Sequence, residues 1–132
     1  MNIYLDIDGV ILANDLQPAK HVNKFLSHVV ENYPTYWLTT HCKGDPSYTV
    51  NHLARILDDE AINLAKRIKP TNWRTSKTEA IDWKTPFLWF DDHIFDFEKD
   101  DLIRHDALNS WIEVDLSKNV DQLLDYVNDF PA

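Results

Sequence analysis

Two carboxylates near the start of the chain, Asp6 and Asp8, stand one residue apart directly after the apolar run Ile3-Tyr4-Leu5. Such a run reads as a buried parallel strand. Strand side chains alternate in direction, so Asp6 and Asp8 are expected on one side and Ile7 on the other. Gly9 then supplies a sharp exit. Two like charges this close repel, and burial of either is costly. A positive group should lie between them, and an all-oxygen site points to Mg²⁺. A plain turn is one alternative, although a turn does not need two acids after an apolar strand. A calcium loop is another, and it fails in detail: Val10, Ile11 and Leu12 follow Gly9 where further oxygen ligands would be required.

Three more polar groups end or follow apolar stretches. Thr39 comes after Tyr36-Trp37-Leu38. Lys77 follows Ser76 in the sequence Ser-Lys-Thr-Glu. Asp91 and Asp92 close the aromatic run that begins at Pro86 and ends at Phe90. Their importance depends on which elements carry them. Val22, Phe25, Leu26, Val29 and Val30 recur at helical spacing, with Pro18 suited to the first turn and Pro34 as the stop. Strand, crossover helix and strand make a right-handed βαβ unit. Further helices are expected over 48–57, from Asp58 onward with Ile62, Ala65 and Ile68 buried, over 77–83 behind a capping box of Ser76 and Glu79, over 95–103, and around Val120 to Val127. Strands are expected at 68–71, 86–90 and 111–114. The alternation predicts an α/β domain over residues 1–132, with a mainly parallel sheet of about five strands and helices on both faces. In such sheets ligands bind beyond the carboxyl ends of the strands, and Asp6, Asp8, Thr39, Asp91 and Asp92 all fall there.

Composition narrows the partners. The net charge of −9 over 132 residues argues against a nucleic acid held by bulk charge, though not against a small phosphorylated group on a metal. Cys42 is the only cysteine, so no intrachain disulfide can form, which fits a cytoplasmic protein. No signal peptide, membrane span or repeat is visible.

The four groups resemble, in order, the four motifs of the haloacid dehalogenase (HAD) superfamily of phosphohydrolases. Asp6-Ile7-Asp8-Gly9-Val10 resembles the first, Trp37-Leu38-Thr39 the second, Lys77 at a helix start the third, and Leu88-Trp89-Phe90-Asp91-Asp92 the fourth. The resemblance implies a Rossmann-like fold and a Mg²⁺-dependent phosphatase. It also implies the roles. Asp6 attacks phosphorus, Asp8 acts as general acid and base, Thr39 donates to a phosphoryl oxygen, and Lys77 keeps Asp6 ionised. The implied metal ligands are the Asp6 carboxylate, the Asp8 backbone carbonyl and an acid of the fourth motif. Asp92 is the first choice for that acid, with Asp91 orienting a water or the lysine.

Alternatives stay open at several positions. Thr40 rivals Thr39, and Lys69 rivals Lys77. Lys84 precedes the fourth motif's strand and would lie more than about 15 Å away, at ~3.3 Å per residue. His41, Cys42 and His93 are given no catalytic role, and Asp100-Asp101 reads as a solvated helical face. The stretches 9–38 and 41–76 leave no room for a large inserted cap, so an open site is expected, with Asn14, Asp15, Trp73 and Arg74 near its rim. It would suit a small or macromolecular phosphate ester, or a partner subunit serving as lid. Two other functions compete: a binding protein that has kept the fold but lost turnover, and a receiver-like phospho-acceptor. In receivers the paired acids come first and the acceptor aspartate later, the reverse of the order here.

Overall fold

The computed structural model describes residues 1–40 and 44–130. The chain runs β1 (Asn2–Leu5), α1 (Val22–Asn32), β2 (Thr35–Trp37), α2 (Pro46–Leu53), α3 (Asp59–Ala65), a 3-10 turn (Lys77–Ala80), β3 (Phe87–Asp91), α4 (Asp96–Arg104), a second 3-10 turn (Leu108–Ser110), β4 (Trp111–Glu113) and α5 (Gln122–Asp129). All strand pairs are parallel, in the order β2-β1-β3-β4. Among the described residues the fold is therefore α/β with four strands rather than about five. The strand expected at 68–71 is reduced to one bridging residue. Lys69 donates its N–H to Thr35 O (3.0 Å) and accepts from Trp37 N–H (2.8 Å). Beyond it the Trp37 carbonyl, which the next ladder N–H would reach, accepts instead from the Thr71 hydroxyl (2.6 Å).

The pleat sorts the apolar residues onto two faces. Ile3, Leu5, Trp37 and Phe90 join one buried cluster with Val22, Phe25, Leu26 and Val29 of α1, Ala61 and Ile62 of α3, and Leu123 and Tyr126 of α5. Tyr4, Phe87 and Trp89 join the other with Leu102 of α4 and the loop residues Trp73, Ile81 and Ile94. Both faces of the sheet are thus covered, and every residue of β1 is buried. Leu53 and Leu57 also belong to the first cluster, so α2 and α3 pack into the body of the fold instead of forming a lid.

Two helices differ from expectation for local reasons. Pro18 bridges to Leu12 and lies outside α1. His21, at φ 67°, adopts a left-handed conformation that prevents the helix from starting earlier than Val22. The helix expected to run from Lys77 to Trp83 is a single 3-10 turn, because Ile81 is extended and buried and Asp82 N–H donates to the Tyr4 hydroxyl (3.0 Å). The capping box itself forms: Ser76 Oγ accepts from Thr78 N–H, and Glu79 Oε2 accepts from Ser76 N–H (2.8 Å). Among the described residues, no helix is long and apolar enough to cross a membrane.

Phe25 ties α1 to the sheet and to α5, meeting Phe90 at 5.2 Å and Tyr126 at 5.7 Å between ring centroids, both edge-on. Truncation to Phe25→Ala should cost about 3–5 kcal/mol in urea unfolding, the range for a large ring removed from a packed core. A loss below about 1 kcal/mol would contradict this packing.

Candidate active site

The site starts from the register of β1 and β3. Leu5 pairs with Phe90, and Asp6 N–H donates to Phe90 O (3.0 Å), so the next residues along, Asp6 and Asp91, stand side by side. β1 and β3 also form the point where the strand order reverses, the place where open parallel sheets bind ligands. Beyond Leu5 the chain leaves the strand and wraps a tight turn. The Ile7 carbonyl accepts from the N–H groups of Val10 (3.2 Å), Ile11 (2.9 Å) and Leu12 (3.0 Å). Gly9 sits in this turn at φ 83°, and a Cβ there would meet the Cβ of Asp92 at 2.8 Å and strike its carboxylate. Glycine is thus required twice, for the turn and for the room that Asp92 occupies.

Lys77 is the counter-charge. Its Nζ is 2.7 Å from Asp91 Oδ2 and 3.6 Å from Asp6 Oδ1. Its backbone N–H donates to Glu98 Oε2 (3.0 Å), while Glu98 Oε1 accepts from Phe95 N–H (3.1 Å). A second link fastens the same turn to α4: Ser76 Oγ and Thr78 Oγ1 lie 2.5 Å apart, and Thr78 Oγ1 donates to Asp101 Oδ2 (2.5 Å). Asp101, read from sequence as solvated surface, is instead half-buried and tied to this turn and to Arg104.

With both carboxyls ionised, two buried carboxylates against one ammonium would leave one negative charge uncompensated among the three groups. Burial pushes the Asp6 carboxyl up, and this outweighs the opposing pull of Lys77 and of hydrogen bonds from Ile7, Asp91 and Thr39. Burial and the neighbouring Asp6 push Asp91 up to about 8 despite its contact with Lys77. Burial pulls Lys77 down, but Asp6, Asp91 and Glu98 more than offset it and the net direction is up. One carboxylate oxygen from each of Asp6, Asp91 and Asp92 lies within 4.8 Å of the others. The donors are all hard oxygen, they carry excess negative charge, and Gly9 makes room for the Asp92 carboxylate among them. These residues fit a divalent cation of the Mg²⁺ class.

Asp6, Asp8, Lys77, Asp91 and Asp92 line one cavity of about 220 Å³, together with Thr40, Thr75, Trp73, His93, Phe95 and Glu98. Larger hollows exist, including one of about 280 Å³ beside Tyr4 and Tyr36, but none gathers buried carboxylates around a lysine. Thr39 is fully buried and its hydroxyl serves Asp6, whereas exposed Thr40 reaches the cavity. Lys69 is in the bridge at the far edge of the sheet, with Nζ 5.8 Å from the Tyr36 ring centre. Lys84 is exposed and outside the cavity. Of the expected rim residues, Trp73 lines the cavity and Asn14, Asp15 and Arg74 do not. His41 and Cys42 lie outside the described residues. Sequence reading missed Glu98 and Phe95. The signal for Glu98 was its position three residues after Phe95, the spacing of a capping box.

No family model, curated protein or solved structure matches this chain.

The raised Asp91 carboxyl has a pH signature. A group whose folded-state value rises from 3.8 to about 8 stabilises the fold at low pH, and that contribution is lost as pH rises between those values. Without divalent cations, the stability of the wild type relative to Asp91→Asn should therefore fall as pH rises from about 4 to about 8. Thermal melts of both proteins in a chelator, taken across that window, measure it. A difference independent of pH would contradict the stated burial and charge crowding.

Proposed function

We propose that this protein is a Mg²⁺-dependent phosphatase of HAD-like, capless architecture that hydrolyses phosphate monoesters with Asp6 as nucleophile. The observation that carries the proposal is the side-by-side placement of Asp6 and Asp91 at the β1/β3 switch point, with Lys77 on both and Asp92 held over Gly9. Side-chain oxygens of Asp6 and Asp92 and the backbone carbonyl of Asp8 would hold the ion, while Asp91 positions Lys77. The bound cation supplies charge neutralisation, which lets a carboxylate approach a phosphate dianion.

The residues of the chain divide the remaining work. An Asp6 oxygen attacks phosphorus, forming the Asp6–O–P bond as the bond to the leaving oxygen breaks. Asp8, exposed at the cavity, gives its proton to that leaving oxygen. A water then loses a proton to Asp8 and attacks the same phosphorus, returning the Asp6 carboxylate and inorganic phosphate. Lys77 keeps Asp6 ionised through their 3.6 Å pair and offsets charge on the transferring group. The Thr39 hydroxyl holds Asp6 in place, and Thr40 is the hydroxyl that reaches the incoming phosphate. The order of the acids along the chain, Asp-x-Asp first and the pair last, supports hydrolysis over a long-lived phospho-acceptor.

Inorganic phosphate release from simple phosphate esters with Mg²⁺ tests this reading. Asp6→Asn should lower turnover by more than about a thousandfold, as loss of a nucleophile does. The same variant should melt at or above the wild-type temperature in chelator, because it removes a buried charge crowded by Asp91. Retained turnover would mean that Asp6 is not the nucleophile.

A further inference from the structure

Phe95 occupies a position where its residue type is unfavourable. It is the residue that caps α4, and helix caps favour Ser, Thr, Asp or Asn, whose side-chain oxygens accept the first free N–H groups. A phenyl ring cannot do so, and α4 has no side-chain cap hydrogen bond. Phe95 is 58% exposed, and Phe97, two residues on, is 46% exposed. The two rings stack at 5.4 Å and 11°, and His93 meets Phe95 edge-on at 5.5 Å. Single exposed apolar side chains carry no message, but three clustered rings that relinquish a helix cap do.

The location supplies the meaning. Phe95 and His93 line the cavity that holds Asp6, Asp8, Asp91 and Asp92, and buried Trp73 lines it too. Among the described lining residues Lys77 is the one Lys or Arg, and it is already engaged by Asp91 and Asp6. A leaving group with further negative charge would meet these acids without a counter-charge, whereas a neutral flat ring would meet an aromatic surface. We propose that Phe95, backed by Phe97, is a stacking platform for a neutral planar aromatic ring carried by the leaving group of the phosphate monoester. This rests on the phosphatase reading above and narrows its substrate class. Phe95 determines specificity and takes no part in the chemical steps. A nucleoside monophosphate and an aryl phosphate such as phosphotyrosine both carry the required ring.

The test compares benzyl phosphate with cyclohexylmethyl phosphate, esters of similar size and leaving-group acidity that differ in flatness. With Mg²⁺, wild type should favour the benzyl ester about tenfold in kcat/KM, mostly through KM. Phe95→Leu should bring the two esters to near parity by weakening the benzyl ester alone, and Phe95→Tyr should keep the preference. Equal treatment of both esters by wild type, or a parallel loss on both in Phe95→Leu, would overturn the platform. Uridine 5′-monophosphate and phosphotyrosine form the second arm. Dependence on Phe95 for either supports the platform and identifies the source of the ring; dependence for neither overturns it. Calorimetric binding of both matched esters to Asp6→Asn, with and without Phe95→Leu, separates this inference from the reaction. Tighter, Phe95-dependent benzyl binding to Asp6→Asn, together with no turnover of either ester by wild type, would support the platform and refute the phosphatase. Turnover of both esters without preference would do the reverse, and neither binding nor turnover would refute both.

Discussion

Parallel pairing of β1 with β3 forces two carboxylates into adjacent positions where the strands end. Strand spacing of about 4.8 Å fixes how close neighbouring residues come, and burial removes the water that would screen them. Asp6 is 8% exposed and Asp91 1%. This repulsion works against folding, so it persists only because the surrounding structure compensates for it. Much of the loop and helix structure around the site can be understood as that compensation.

Lys77 is the main compensating group, and its position is fixed from several sides. The Ser76–Glu79 capping box shapes the turn, Glu98 holds the Lys77 backbone, and Thr78 and Asp101 fasten the turn to α4. Ile81 and the hydrogen bond from Asp82 to Tyr4 pull the chain back to the sheet immediately afterwards. A longer helix here would have been a simpler structure, but the short turn sets the ammonium over both acids. One ammonium against two carboxylates still leaves an excess negative charge, and Asp92 adds to it. Electrostatics at the strand ends therefore favours a cation, and an ion there would convert a destabilising cluster into a stabilising one.

Much of this was legible in the sequence because it rests on periodicity and local chemistry. The stripe Val22, Phe25, Leu26, Val29 and the aromatic run before Asp91 identify a helix and a strand without tertiary information. Asp6, Asp8, Lys77, Asp91 and Asp92 all stand out in the sequence at the ends of apolar runs or at a helix start, and all line one cavity. What was not legible depended on long-range contacts. The fifth strand is limited to Lys69 where the Thr71 hydroxyl takes the Trp37 carbonyl, the turn after Ala80 answers to Tyr4, and the half-buried state of Asp101 requires Thr78 to be opposite it. The placing of Thr39 and Thr40 has the same origin. Both follow an apolar run, and only the fold shows that the Thr39 hydroxyl meets Asp6 while Thr40 lines the cavity.

The cation is the point on which the account rests. Titration with Mn²⁺, followed by the relaxation of water protons, measures its binding without any assumption about catalysis. The account requires one saturable site per chain that Mg²⁺ competes for, weakened about tenfold or more in Asp92→Asn and also in Gly9→Ala, where the added methyl would displace the Asp92 carboxylate. No saturable site, or a site indifferent to both substitutions, would contradict it.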